Sequence, residues 1–480
     1  MKIAEVTPEV APFSKTGGLG DVLGGLPHHL AELGADVAVV SPLHRSAAAF
    51  DLDRHHPKLK VPMGEATIEC GIATTIIPDT HVTAVFIDHP EYFDRDYLYG
   101  APDGDYPDNA ARYSFFARAA IEFFKSRGEI PDIFHVHDWQ SALVPVYLKT
   151  AAAAAFPKAK SVLTIHNMAY QGLFPADAME TAGLDSSLFN WKQLEFFGKM
   201  GFLKGGIVFA DAITTVSPTY SKEIQTPEFG CGLDGLLLGR ADRLHGILNG
   251  VDEREWSPER DPHLPATYSA SSLKGKAACK RELQKRSKLP ERRDVPLFGL
   301  IGRLVEQKGI DLVCAAAERL MGLDIQMVFL GSGDPRYADM LTRLAAAHPD
   351  KVSVTIGFDN ALAHLIEGGS DAYLMPSRFE PCGLNQIYSL RYGTIPVVRR
   401  TGGLADTIVD ATPENVKKGK ATGFVFEDAT PEALADAVER ALVAWRDSKS
   451  WAKLVQSALK KDFTWGPSAK RYLEVFRSLR

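Results

Sequence analysis

The sequence predicts an α/β protein made of two domains, each a parallel sheet with helices on its faces. Three observations carry that expectation. Short apolar, β-branched runs recur along the 480 residues. Each is followed by a stretch with helical spacing, and strands that alternate with helices build parallel sheets with both faces covered. One polar, proline-bearing segment near the middle breaks the rhythm. At roughly 150 residues per domain the length allows two or three domains, and the single break selects two.

In the first half the expected strands are 2–6, 36–41, 81–88, 133–137, 161–166, 212–217 and 244–249. In the second half they are 295–302, 325–331, 352–357, 372–376, 395–398 and 423–426. A helix is expected after the first strand. Val22, Leu23, Leu26, Leu30 and Leu33 share one face, and Gly34 is a stop. Segment 252–294 holds Pro258, Pro262, Pro265 and Pro290 and a charged run from Lys274 to Arg293. Such segments commonly join domains. The expected division is therefore 1–250, a linker at 251–294, a second domain at 295–455, and a helical tail at 456–480. The active cleft is expected between the domains.

Composition narrows the function. Hydrophobic residues make up 45% and charged residues 24%, as in ordinary globular proteins. Lys+Arg is 54 against 60 for Asp+Glu, a net charge of -6, which argues against binding nucleic acid through bulk charge. Five scattered cysteines without a CxxC pair suggest neither a disulfide framework nor a structural zinc site. The start, MKIAEVTPEVAPF, makes a poor signal peptide, and no run of about 18 apolar residues occurs. A cytoplasmic location without membrane contact is expected.

Four motifs carry candidate chemistry. Lys15-Thr16-Gly17-Gly18-Leu19 lies between the first strand and the first helix, where glycines admit a ligand to the backbone and free N–H groups face an anion. Its spacing fits neither G-x-G-x-x-G nor a P-loop. Arg303 and Lys308 follow the first strand of the second domain, a placement that suits a diphosphate. The run Phe134-His135-Val136-His137-Asp138-Trp139 puts two histidines on one strand face. Either they ligate a metal, as in a metal-dependent hydrolase built on His135, His137 and Asp138, or one His packs in the core and the strand end delivers Asp138 and Trp139 to the cleft. His166-Asn167 ends the next strand. Finally, Ser377-Arg378-Phe379-Glu380-Pro381-Cys382-Gly383-Leu384 holds Glu380 at a turn before a helix. Cys382 has no readable histidine partner that would make it a nucleophile.

Two further patterns complete the reading. Thr16-Gly17-Gly18-Leu19-Gly20-Asp21 is echoed by Thr401-Gly402-Gly403-Leu404-Ala405-Asp406, which suggests one Gly-rich turn before a helix in each domain. Asp94-Arg95-Asp96 and Asp103-Gly104-Asp105 match an acidic metal–nucleotide pattern but sit in a polar, Tyr-rich stretch that reads as a solvated loop.

Taken in order, the KTGGL string, His137-Asp138-Trp139, His166-Asn167, Asn249-Gly250-Val251-Asp252, Arg303 and Lys308, the RFEPCGL string and Thr401-Gly402-Gly403 resemble the bacterial branch of the starch and glycogen synthase family. These are retaining glycosyltransferases. The resemblance implies a GT-B architecture of two Rossmann-like domains facing a deep cleft, with the C-terminal helix returning to the first. It implies transfer of glucose from ADP-glucose to the non-reducing 4-hydroxyl of an α-1,4-glucan, with no metal or other cofactor.

The resemblance also implies roles. Arg303 and Lys308 neutralise the leaving diphosphate, assisted by Lys15 and the backbone of Gly17 and Gly18. Glu380 holds glucose hydroxyls. Asp138 and His166 line the glucose subsite. Asp21, Asn249, Phe358, Leu384, Thr401, Gly402 and Gly403 join the donor-binding set. Tyr99, Trp139, Cys382 and Gly383 are candidates near the sugar. The chain departs from the wider GT-B pattern at Tyr388, where a ribose-binding Glu often stands, and at Phe358, where a Tyr is usual. The competing readings are a retaining GT-B transferase with another nucleotide sugar, the metal hydrolase, and an inactive sugar-binding protein.

Overall fold

A computed structural model describes residues 1–101 and 104–480. Asp103 of the second acidic triplet lies outside them. The chain forms two compact units, Met1–Gly250 with Trp465–Arg480, and Val251–Thr464.

The first unit is built on a nine-stranded sheet. Its strands are β1 (Lys2–Val6), β2 (Asp36–Pro42), β3 (Asp53–Met63), β4 (Ala66–Ile76), β5 (Thr83–Asp88), β6 (Ile133–His137), β7 (Lys160–Ile165), β8 (Ala212–Thr215) and β9 (Leu244–Gly246). Their spatial order is β9-β8-β7-β6-β1-β2-β5-β4-β3. The seven strands expected in this half are all present, and they pair in parallel. The hairpin β3–β4 was not expected. It adds to β5 antiparallel, so this sheet is mixed rather than wholly parallel. Along β3 the side chains alternate: Leu59, Val61 and Met63 are buried while Lys58 and Lys60 face water. That half-polar pattern differs from the continuous apolar runs that mark strands covered on both sides.

The tail returns to this unit only from Trp465. Helix Trp465–Ser478 buries Trp465, Ala469, Tyr472 and Phe476 in one core with Val22, Leu23 and Leu26 of helix Gly18–Glu32. A Cβ at Gly25 would collide with the Trp465 indole, so the close approach of the two helices requires glycine there. The expected tail of 456–480 began too early, because the preceding helix Ser448–Leu459 belongs to the second unit.

The second unit holds a six-stranded parallel sheet. Its strands are β10 (Leu297–Ile301), β11 (Gln326–Gly331), β12 (Val352–Ile356), β13 (Ala372–Met375), β14 (Ile395–Arg399) and β15 (Phe424–Phe426), in the order β12-β11-β10-β13-β14-β15. Residues 251–294 are not a free linker but part of this unit. Trp256 stacks between His364 at 3.9 Å and Tyr388 at 4.0 Å. Asp261 Oδ2 takes hydrogen bonds from His364 Nδ1 at 2.8 Å and Tyr392 OH at 2.5 Å. Helix Lys274–Arg286 lies against Asn360–Gly369, where a Cβ on Gly369 would stand 2.8 Å from the Cys279 carbonyl oxygen. The stacking on Trp256 commits the buried Tyr388 ring to packing.

Among the described residues no helix is long and apolar enough to cross a membrane. Asp94 and Asp96, of the first acidic triplet, pair with the exposed Arg45 at 2.7 and 2.5 Å.

Candidate active site

In the first unit, β1, β6 and β7 lie side by side in parallel, with Glu5 opposite His135 and His137 opposite Thr164. Their carboxyl ends therefore deliver three loops to one edge of the sheet, the edge where α/β proteins place ligands. The loops carry the Lys15 string, Asp138 and His166.

Glu9 organises the first loop and was not singled out by the sequence. Its Oε2 accepts from the Thr16 N–H at 2.7 Å and its Oε1 from the Thr16 hydroxyl at 2.6 Å. Oε1 also accepts from the Tyr99 hydroxyl. Tyr99 thus belongs to the Gly-rich loop, and burial, with Glu9 beside it, holds its phenol well above the ordinary range. Lys15 pairs with Asp21 of the first helix at 2.6 Å, and its side chain stays partly exposed. At Gly17 a Cβ would meet nothing within 4 Å, which leaves open space beside the backbone.

Asp138 begins the turn after β6 in the left-handed region, at φ 55. Asp tolerates that conformation better than most residues. Its Oδ1 accepts from the His166 N–H at 2.7 Å, locking two strand ends together. Burial pushes the Asp138 carboxyl up to about 7, against the N–H groups of His166 and Asn167, which pull it down. Burial and the neighbouring His137 hold the His166 imidazole well below its ordinary value, so it is neutral at pH 7. Asn249 is buried, and its Oδ1 takes no hydrogen bond from the described residues.

Trp139 is placed differently from the expectation. Its indole packs against Tyr113 at 5.0 Å and Phe174 at 5.6 Å, and a Cβ at Gly172 would lie 2.5 Å from the ring. It is a buried ring packed among other aromatics beside the turn that holds Asp138.

The HxH pair also differs from the hydrolase reading. His135 and His137 are both fully buried and converge on Glu5, not on Asp138. These three are the one potential metal-ligand group among the described residues. Both nitrogens stand 2.8 Å from the same carboxylate oxygen. Ligands held 2.0–2.1 Å from a tetrahedral cation would be about 3.3 Å apart. The spacing is closer than a shared cation would set, and His137 Nε2 fills it with a hydrogen bond to Glu5.

In the second unit, β10 and β13 are neighbours, so their carboxyl ends bring together residues 72 apart in sequence. After β10 a short 3-10 turn, Glu306–Lys308, ends at Gly309. Gly309 takes φ 66, and a Cβ there would collide with the Pro376 carbonyl at the end of β13. That close approach lets Lys308 Nζ reach Glu380 Oε2 at 2.6 Å. The Ser377 hydroxyl donates to the same oxygen at 2.9 Å. Glu380 is buried, and a buried carboxylate needs such partners. Arg303 is exposed just after β10. Arg378 forks onto Asp311 at 2.9 and 2.7 Å and so pins the loop that carries Glu380.

The two Gly-rich echoes do different work. Gly402, at φ 43, lies so close that a Cβ would collide with the Glu380 carbonyl, and one on Gly403 would collide with Cys382. The Gly403 N–H donates to the carbonyl oxygens of Glu380 and Pro381, both at 3.1 Å. Thr401, Gly402 and Gly403 therefore buttress the Glu380 loop. Cys382 is buried in it, Gly383 takes φ 70, and Leu384 caps helix Asn385–Arg391. Phe358 is 88% exposed and offers a free aromatic face.

Comparison with known proteins identifies the family. Residues 2–239 match the family described as Starch synthase catalytic domain, and 281–458 match Glycosyl transferases group 1. The glycogen synthase of Anaeromyxobacter dehalogenans (strain 2CP-C) is 50% identical over 482 residues, covering 100% of both chains. That of Koribacter versatilis (strain Ellin345) is 48% identical, covering 100% of this chain and 98% of its own. The catalytic domain of Starch Synthase IV from Arabidopsis thaliana, solved bound to ADP and acarbose, superposes with a TM-score of 0.92 at 34% identity over 99% of each chain. Carried by this likeness over its whole length, the chain belongs to the starch and glycogen synthase family of glycosyltransferases.

Proposed function

We propose that this glycosyltransferase moves the glucosyl group of ADP-glucose onto the non-reducing 4-hydroxyl of an α-1,4-glucan, with retained anomeric configuration. The observation that carries the reading is the Lys308–Glu380 pair at 2.6 Å, held at two adjoining strand ends of the second unit. A cation fixed beside a buried carboxylate suits a ligand with a diphosphate at one end and sugar hydroxyls at the other. The starch synthase that binds ADP and acarbose points to the same ligand classes.

In this reading Arg303 and Lys308 take the diphosphate, and Lys15 with the Gly17 and Gly18 N–H groups adds to that charge. Glu380 accepts from glucose hydroxyls, Asp138 and His166 line the sugar, and Phe358 offers a face to adenine. The bond from C1 to the diphosphate oxygen breaks as the bond to the acceptor oxygen forms on the same face. The acceptor proton leaves with the departing phosphate. Negative charge grows on the diphosphate, where fixed cations stabilise it most. The reaction needs no metal, and the five free cysteines suit a reducing cytoplasm.

The test is incorporation of labelled glucose into glycogen from ADP-glucose and from UDP-glucose, each with and without EDTA. Incorporation from ADP-glucose that survives EDTA is expected. Incorporation from neither donor, or loss in EDTA, would overturn the proposal.

A further inference from the structure

Beneath His166 runs a file of buried polar groups that the transfer chemistry does not use. Glu5, His135 and His137 are each 0% exposed. Glu5 Oε2 lies 2.8 Å from His137 Nε2, and His137 Nδ1 lies 3.0 Å from His166 Nε2. On the other side, His135 Nδ1 is 2.8 Å from the same Glu5 oxygen, out of line for a strong hydrogen bond. His135 Nε2 meets the Thr164 hydroxyl at 2.6 Å, which meets that of Thr214 at 2.5 Å.

The proton positions follow from the chemistry of the groups. An ionised carboxylate only accepts, so His137 must donate from Nε2. A neutral imidazole carries one N–H, so His137 Nδ1 is then a bare acceptor. His166 must therefore donate from Nε2, which leaves its own Nδ1 without a proton. No hydrogen bond from the described residues reaches that Nδ1, and the half-buried ring lies at the sheet edge where a sugar is proposed.

We propose that Glu5 is a positioning residue which, through His137, fixes His166 as a hydrogen-bond acceptor toward a hydroxyl of the bound sugar. The inference rests on the proposed glucosyl transfer for its catalytic consequence, but its proton pattern does not depend on it.

Two further facts fit. Burial alone would raise the Glu5 carboxyl, yet the charge interaction with His135 and the hydrogen bond from His137 outweigh it and hold it down to about 2. Burial, with His135 adding, takes His137 down to about 4, so both are in the required states at neutral pH. Glu5 Oε1 has no hydrogen-bond partner among the described residues, and a wholly buried carboxylate with an unsatisfied oxygen costs stability. An apolar residue would serve the core better, as Ile3 does two positions earlier on the strand.

The test uses the full chain labelled with 15N-histidine, read by two-bond 1H–15N correlation spectra, with His166→Gln to assign the resonances. His166 is expected as the Nε2–H tautomer in the parent protein and in Glu5→Gln, whose amide oxygen still accepts. In Glu5→Met, which has similar bulk and no acceptor, the tautomer is expected to redistribute. The kcat of Glu5→Met should fall about 10- to 100-fold, as when the partner that orients a functional histidine is removed. The KM for glucan should stay unchanged, and Glu5→Gln should restore most of kcat. His166 found as the Nδ1–H tautomer in the parent protein overturns the proposal. So does a folded Glu5→Met with unchanged tautomer or unchanged kcat. If Glu5→Met does not fold, the parent spectrum alone decides. A parent protein that transfers no glucose contradicts the functional reading, while the tautomer still reports on Glu5.

Discussion

Lys308 Nζ lies 2.6 Å from Glu380 Oε2, although 72 residues separate them, because their strands are neighbours in a parallel sheet. The pair joins a cation that a diphosphate can claim to a carboxylate that sugar hydroxyls can claim. In steady-state glucosyl transfer, Lys308→Ala and Glu380→Ala should each lower kcat by roughly 10²–10³, the usual cost of one electrostatic contact to a transition state. Lys308→Ala also leaves the buried Glu380 carboxylate short of its cation, so its unfolding temperature should drop as well. Near-normal rates in both variants would remove this pair from the site.

The Asp138 carboxyl, raised by burial to about 7, makes a stability prediction with a definite sign. A carboxyl whose folded pKa exceeds its unfolded value adds stability that is fully present below the unfolded value. That stability is lost as pH rises through the folded value. The window runs from about 3.8 to about 7. Asp138→Asn removes the titration and suits the same left-handed backbone. Relative to this variant, the parent protein should lose stability across the window by on the order of 1 kcal/mol per pH unit. Parallel denaturant titrations at pH 4.5, 5.5 and 6.5 check it, and a constant difference would contradict it.

The two Gly-rich strings should respond in opposite ways to alanine. Gly402→Ala forces a Cβ into the Glu380 carbonyl at a positive φ. It should cost about 1–3 kcal/mol, with a fall in kcat. Gly17→Ala adds a methyl to open space, so its unfolding temperature should hold while the KM for the donor rises. Thermal melts beside donor titrations separate the two.

Trp139→Ala tests the reassignment of that residue to packing. Loss of an enclosed indole should cost about 3–5 kcal/mol. If Trp139 were a sugar platform instead, stability would hold and only KM for the glucan would move.

The strands were legible because parallel strands covered on both faces are largely apolar, as Phe298 to Leu300 and Val37 to Val40 show. The hairpin at Asp53–Met63 and Ala66–Ile76 was not, because its half-exposed faces dilute the apolar signal. Segment 251–294 looked like a linker because Trp256, Tyr268, Cys279 and Leu283 are spread among prolines and charges, and only the fold gathers them into a core. At the site, Lys15, Asp138, His166, Lys308 and Glu380 could be named from motifs at strand ends. Glu5 and Glu9 could not. Glu5 reads as a stray polar residue in a strand, and its meaning comes from β6 lying alongside β1. Glu9 precedes the KTGGL string, and only the turn of the loop brings its carboxylate to Thr16 and Tyr99.

The most direct measurement of the central claim is the proton NMR spectrum of maltoheptaose extended by the purified chain with ADP-glucose as donor. New anomeric signals of α-1,4 linkages, growing in step with ADP release, are the expected result. ADP release without chain extension, or β-configured new linkages, would contradict the account.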